Sequence, residues 1–295
     1  MTNNNGESQY LALLKKILGT GEERDGRNGK TLGLFAERLE FDLKEGFPLL
    51  TTKRVFWRGV VEELLWFLRG STDARELQAK NVHIWDGNTS RGYLDTVGLS
   101  HYDEGMLGPG YGFQWRCFGG DYPRFENGVD QIRYLLEELS KNPHGRRAVL
   151  SAWNPKQANQ MALVPCHVLY QFYVGSKGLS CQLYCRSQDI CAGTPFNIAS
   201  TSLLTTLLAA LLGVPVDRVI LVAGDTHVYE QHIGNAKIQI ARTPYKPPRL
   251  NITRPVPPKD SDTNEKIKWL ETLSFEDLEL TDYECHPALK YEMIA

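Results

Sequence analysis

Residues 164–187 read VPCHVLYQFYVGSKGLSCQLYCRS, and how this stretch is parsed decides the fold. Val, Leu, Tyr and Phe crowd two runs, 167–174 and 179–187, on either side of GSKG. β-Branched and aromatic side chains fit a pleated, half-buried surface, and a short connector bounded by glycines has hairpin-turn composition. The stretch therefore predicts two paired strands. Working outward, AVLSAW at 148–153 and RVILVAG at 218–224 read as further strands. Helices are expected at 10–18, 54–70, 129–145 and 197–212. In 54–70, Val61, Leu64, Leu65 and Leu68 recur at helical spacing. Residues 23–35 read as a polar loop entering a strand, 87–128 as loop-rich, and 255–272, rich in Pro and charge, as a flexible connection. Residues 1–9 are expected to be a disordered tail before a single domain over 10–295.

The 295 residues suffice for a large core without disulfides or metal. With 33 Lys+Arg against 35 Asp+Glu the formal charge is −2, which argues against a general polyanion binder and leaves any anion site to local arginines. The six cysteines (Cys117, Cys166, Cys181, Cys185, Cys191 and Cys285) follow an N-terminus without signal-peptide character, so free thiols in a reducing compartment are expected. That places the chain in the cytoplasm, with the nucleus also open to it. The longest apolar run, LLTTLLAALLG at 203–213, is short for a bilayer and reads as a buried helix, so no membrane partner is expected.

The chemistry turns on Cys166, set between Pro165 and His167. It is a buried structural thiol, a metal ligand or a nucleophile. Zinc usually draws on paired short spacings; Cys181 and Cys185 stand four apart with no second pair, so no metal is expected. A nucleophile needs cations nearby to lower its pKa, and Arg186 and the tandem Arg146–Arg147 supply them. Clustered arginines also suit a phosphate. On the 54–70 helix, Glu62 has Arg58 and Arg69 within reach and reads as solvated. Glu63 shares its face with Gly59, Val60, Trp66 and Phe67, where a carboxylate is costly unless partnered or functional. His227 and Tyr229, two apart on an extended segment, point to one side. Asn197 reads as a helix N-cap or as a pyrimidine-reading amide. RDGRNGKT at 24–31 lacks the leading glycine of a phosphate loop, and GPGYG at 108–112 lacks dinucleotide-loop spacing and opens no helix.

Long ordered segments settle which reading to prefer. FPLLTTKRVF, EELLWFLRGSTDARELQAKNVHIWD, RRAVLSAWNP, MALVPCH, GTPFNIAS, GDTHVY and HPALKYEM together resemble the thymidylate synthase family, in its longer eukaryotic and viral form, from Tyr10 to the last residue. The resemblance implies an α+β fold, three layers around a large, mostly antiparallel sheet. It implies reductive methylation of dUMP to dTMP by 5,10-methylenetetrahydrofolate, with Cys166 adding to the uracil ring. Arg27, Arg186 and Ser187 would hold the phosphate, with Arg146 and Arg147 donated across an obligate homodimer. Asn197 would read the uracil, and His227 and Tyr229 the ribose. Glu63, Tyr111, His167 and Asp189 would serve proton transfer. Ile84, Trp85, Asp189, Gly193, Phe196 and the C-terminal Ala295 would bind the folate.

The sequence departs from the family pattern chiefly over 185–201. Gln is replaced by Cys185, Leu by Ala192, an apolar residue by Thr194 and Tyr by Thr201. Cys185 is expected to weaken the network beside the phosphate arginine, and Ala192 to remove apolar contact with the folate. The loop around Arg27 is one residue short, Gly110 stands in LGPGYG, and 255–272 is longer than usual. Two rival readings follow: a pyrimidine-nucleotide hydroxymethylase of the same family, and a catalytically impaired dimer that binds nucleotide or RNA.

Overall fold

The computed structural model describes residues 6–26 and 28–292. The hairpin forms as the sequence predicts. Strands β4 (His167–Gly175) and β5 (Gly178–Asp189) run antiparallel to the closing pair Gly175–Gly178, leaving Ser176 and Lys177 as the turn. Gly178 takes φ +125°, where a Cβ would fall 2.2 Å from the carbonyl oxygen of Pro215; only glycine fits there. With β1 (Glu22–Gly26), β2 (Gly29–Asp42), β3 (Val149–Ser151) and β6 (Val216–Tyr229) they build one sheet in the order β1-β2-β6-β5-β4-β3. Every pairing is antiparallel except β5–β6. Strands β7 (Arg249–Ile252) and β8 (Leu278–Thr281) pair separately. The fold is α+β, as expected.

Parallel neighbours need a crossover. Here it is a long helix, Gly193–Leu212. The main helices are α1 (Gly6–Thr20), α2 (Trp57–Leu68), α3 (Gln131–Lys141), α4 (Gly193–Leu212), α5 (Ile233–Ile240) and α6 (Thr263–Thr272). Leu203, Leu204, Leu207, Leu208 and Leu211 of α4 are wholly buried, as a helix apolar all round must be. They pack with the inward side chains of the sheet, Leu39, Phe41, Cys181, Leu183, Cys185, Val219 and Leu221. Alternate residues point the other way: Arg38, Gln171, Tyr173 and Gln182 are exposed on the sheet's second face.

Several expectations are corrected. Helix α4 starts four residues before the expected 197 and is 20 residues long, so among the described residues it alone has the length and composition to cross a membrane; its window is 72% buried, which marks a core helix. The loop at 23–35 is a hairpin, β1 turning into β2 at Gly26–Gly29. Within the expected flexible connection, α6 forms, because Asp262 caps the amide of Glu265 and Ile267, Trp269 and Leu270 are buried. GPGYG does lead into a one-turn helix, Gly112–Arg116. Glu62 is buried rather than solvated, and its partners are Lys80 at 2.6 Å and Arg58 at 3.8 Å, not Arg69.

Residues 6–9, expected to belong to a disordered tail, are helical, since α1 begins at Gly6, while 1–5 lie outside the described residues. Glu7 explains why. Its buried carboxylate accepts from the Thr51 amide (2.8 Å), the Thr51 hydroxyl (2.7 Å) and the Thr52 amide (2.7 Å). This pins α1 to the segment that leads into α2. Charge-assisted bonds of this kind are strong, and removing the acceptor leaves buried donors unmet. Glu7→Ala is expected to destabilise the fold by about 3 kcal/mol, read as a lower urea midpoint with an unchanged slope.

Candidate active site

A cleft of about 320 Å³ opens where β4, the N-terminus of α4 and α2 meet. Cys166, His167, Glu63, Tyr111 and Asn197 all line it, with Ile84, Trp85, Gly193 and Phe196. Five predicted catalytic or base-reading residues and four predicted folate residues are thus brought to one place. A second hollow of about 320 Å³ is lined by Arg186, Ser187, His227 and Tyr229, with Arg24 and Asp225. His227 and Tyr229 do point to one side, as their spacing on β6 required.

Arg186 joins the two. Its Nε donates to the Pro165 carbonyl (3.0 Å) and its Nη2 to the Val164 carbonyl (2.8 Å), while its amide donates to the Cys166 carbonyl (3.0 Å). The cation that faces the hollow therefore also fixes the loop carrying Cys166. The Cys166 amide donates to the Tyr111 hydroxyl at 3.0 Å. Tyr111 is held by Phe67, stacked at 5.0 Å and 5°, and by Trp85, edge-on at 5.5 Å. It takes φ +29°, a region bulky residues avoid unless their surroundings over-determine it.

Electrostatics in the cleft are governed by desolvation. Burial raises the Glu63 carboxyl to about 7, against the opposing pull of Trp85 Nε1, which donates to Glu63 at 2.8 Å. Burial lowers His167 to about 4, so the ring is neutral. Its Nε2 lies 2.6 Å from Asn197 Oδ1 and its Nδ1 2.9 Å from the Tyr170 hydroxyl. An amide oxygen only accepts, so Nε2 carries the hydrogen and Tyr170 donates to Nδ1. Asn197 Nδ2 then donates to Gln188 Oε1 at 3.1 Å, and Gln188 Nε2 to Thr194 Oγ1 at 2.7 Å. The amide is locked in one orientation. Because α4 starts at Gly193, Asn197 sits in the second turn and is not an N-cap. The expectation of a lowered Cys166 pKa is also corrected: burial pushes the thiol up, and the Arg186 charge and Tyr111 hydroxyl only partly offset this.

The remaining predicted residues fall elsewhere. Asp189 is not part of the cleft lining; its Oδ1 accepts from the Cys191 and Ala192 amides at 2.8 and 3.1 Å and shapes the turn into α4. Arg146 and Arg147 are exposed and line neither cavity of their own chain. Arg27 and Ala295 lie outside the described residues. Sequence reasoning missed Lys53 and Asn88, which line the cleft; Leu289 and Tyr291 bring the C-terminal segment to it, as the resemblance implied. Lys53 is lowered to about 8 by burial, donates to the Cys191 carbonyl at 2.6 Å and lies 4.3 Å from the Tyr291 ring centre. TTKR carries no periodicity that would have revealed this.

The site has a partner set that comparison with known proteins can be weighed against. Residues 8–295 match the family described as thymidylate synthase. The chain is 46% identical over 294 residues to the human protein named thymidylate synthase, covering 98% of this chain and 90% of that one. It is 48% identical to the thymidylate synthase of equine herpesvirus 2, covering 97% and 98%. It is also 47% identical to the bifunctional dihydrofolate reductase-thymidylate synthase of Leishmania major, of which it covers 55%.

A raised carboxyl pKa means the native state holds the Glu63 proton more tightly than the unfolded chain does. The cost of burial is then absent below pH 4.5 and complete above about pH 7. Glu63→Gln removes this titration. Its stability relative to the parent is expected to rise by up to about 3 kcal/mol between those limits, measured by urea unfolding across pH; a flat difference would deny the desolvated carboxyl.

Proposed function

Because the chain belongs to the thymidylate synthase family, we propose how its own residues carry that family's reaction. The chain is a methyltransferase that converts dUMP to dTMP with 5,10-methylenetetrahydrofolate, releasing dihydrofolate. The observation that carries the reading is the junction at Arg186: one cation faces a ribose-and-phosphate hollow and holds the thiol loop of an adjoining apolar cleft.

The uracil of dUMP enters the cleft with its phosphate on Arg186, Ser187 and Arg27. His227 and Tyr229 take the ribose hydroxyl. Asn197, with one amide N–H beyond the one it spends on Gln188 and an oxygen held by His167, reads the pyrimidine edge. Cys166 Sγ adds to C6, which makes C5 nucleophilic; the thiol proton leaves the cleft as the C–S bond forms. Resting protonation guards the thiol, and the Arg186 charge supplies the pull toward thiolate. The folate supplies the one-carbon unit and then a hydride. Its site fits the walls present: Ile84, Trp85 and Phe196 give apolar and aromatic surface, and Tyr291 the far side. Glu63, poised near neutrality, takes and returns protons through water. When Cys166 departs, C–S cleavage restores the ring double bond.

Arg146 and Arg147 enter a neighbouring subunit's hollow, and the exposed second face of the sheet, with Tyr173 at 66% exposure, is the surface that pairs in a homodimer. The six cysteines are all free, which suits a reducing, cytoplasmic compartment.

Tritium release from [5-³H]dUMP is expected to depend on methylenetetrahydrofolate, to match dihydrofolate formed, and to vanish in Cys166→Ser. Release without dihydrofolate would instead identify a hydroxymethylase, and tight dUMP binding without release a disabled dimer. A mixture of inactive Cys166→Ser with inactive Arg146→Ala/Arg147→Ala protein is expected to regain activity at about a quarter of its sites, since one site of each mixed dimer is whole. No recovery after subunit exchange would mean the arginines act within their own chain or not at all.

A further inference from the structure

Behind the cleft wall stand three side chains, two of them buried, of which only Asp189 has a role in the resemblance. Asp189 ends β5, Cys191 lies in the turn to α4, and His232 closes the short turn after β6. The ligand-capable atoms of the three lie within 4.8 Å of one another. Cys191 and His232 are 0% and 2% exposed.

The hydrogen-bonding of His232 is the telling feature. Its Nε2 lies 3.0 Å from the carbonyl oxygen of Glu292. A carbonyl only accepts, so Nε2 carries the hydrogen, and in the neutral ring Nδ1 presents a lone pair. That Nδ1 is buried, has no hydrogen-bond partner among the described residues, and faces Asp189 Oδ2 at 3.7 Å. Asp189 cannot turn away, because its Oδ1 is taken by the Cys191 and Ala192 amides. In that tautomer the buried Nδ1 and the partly exposed Asp189 carboxylate are two acceptors that face each other beside a thiol. A histidine that donates one ring N–H to a backbone carbonyl and offers the other nitrogen is the usual setting of a metal ligand.

We propose that Asp189 Oδ2, Cys191 Sγ and His232 Nδ1 form a binding site for a thiophilic divalent cation of zinc's class. The donor set is one carboxylate, one thiolate and one imidazole, which leaves a fourth tetrahedral position open. Tetrahedral zinc spaces its ligands about 3.5 Å apart, so the group closes by about 1 Å on binding. The Cys191 thiol gives up its proton to solvent as the metal–sulfur bond forms, and nothing is oxidised or reduced. The nearby Lys53 charge is directed at the Cys191 carbonyl and the Tyr291 ring. Since His232 also holds Glu292, and Asn235 Nδ2 donates to the Lys290 carbonyl at 2.8 Å, the cation ties the C-terminal segment to the end of β5. It also occupies the carboxylate that the resemblance gives to the folate, so cation and folate oppose one another.

The test uses metal-free full-length protein and Co²⁺ alone as the probe, so it stands apart from turnover. One equivalent of Co²⁺ is expected to raise a near-ultraviolet thiolate-to-cobalt band that Zn²⁺ abolishes. The band should be absent in Cys191→Ser and need about tenfold or more Co²⁺ in His232→Gln. It should persist in Cys166→Ser, whose missing thiol lies in the cleft. Both site variants are checked for an unchanged thermal midpoint without metal; should Cys191→Ser not fold, His232→Gln decides alone. No band at equimolar Co²⁺, a band surviving in Cys191→Ser, full affinity in His232→Gln, or loss in Cys166→Ser overturns the site.

Discussion

The parallel pairing of β5 with β6 is the constraint on which the active site depends. Antiparallel neighbours can be joined by a turn, as β4 and β5 are, but parallel ones cannot. The chain must leave the end of β5, cross the sheet and re-enter beside its starting point. That crossover is α4, which is why it is long and why it is buried on all sides. Its first turns necessarily stand at the C-terminal end of β5. Gly193, Phe196 and Asn197 are therefore delivered to the mouth of the cleft, while Asp189 is set opposite His227 in the β5–β6 register. The antiparallel partner β4 starts at the same end, so Cys166 and His167 arrive there too.

Once these groups are gathered, one physical effect sets their chemistry. The cleft removes water, and loss of water favours the neutral form of every group. Glu63 is brought to about 7, a value that lets one carboxyl both hold and release a proton near neutral pH. His167 is brought to about 4 and is kept as a neutral link between Tyr170 and Asn197. The thiol is raised as well, so the same burial that holds the Glu63 proton near neutrality also opposes a Cys166 thiolate. Arg186 is the group that answers this conflict, and its two bonds to the loop carbonyls keep its charge where the thiol can feel it.

Much of this was legible in the residues. The hairpin at 167–187 was plain from composition, because each run alternates around a two-residue turn. Glu63 was distinguishable from Glu62 by its apolar face, although both proved enclosed: Lys80, eighteen residues on, reaches Glu62 and cannot be found from helical spacing. The start of α4 was missed because the helix was expected from 197, beyond Pro195, whereas Pro is welcome in a first turn whose amides have no partners. The direction of the Cys166 shift was missed because a sequence shows which charges are present but not how much water has been removed. Lys53 belongs to the same class, since only the folded chain brings it beside Cys191 and Tyr291.

The unusual 185–201 segment looks different in three dimensions from the way it looks in sequence. Cys185 was expected to disturb the phosphate end, yet it is wholly buried, pairs with His167 across the hairpin and lines neither cavity. Thr194 adds a link rather than removing one: its hydroxyl accepts from Gln188 and donates to the Asp189 carbonyl at 3.2 Å. Gln188 in turn orients Asn197. Thr201 instead leaves a buried hydroxyl that has no partner among the described residues, next to Phe41, Ile198 and Leu221. Only Ala192 faces the cleft. Three of the four changes are therefore buried behind the cleft wall. Of the four, one shortened side chain, Ala192, is thus the change that borders the cleft holding Cys166, Asn197 and Glu63.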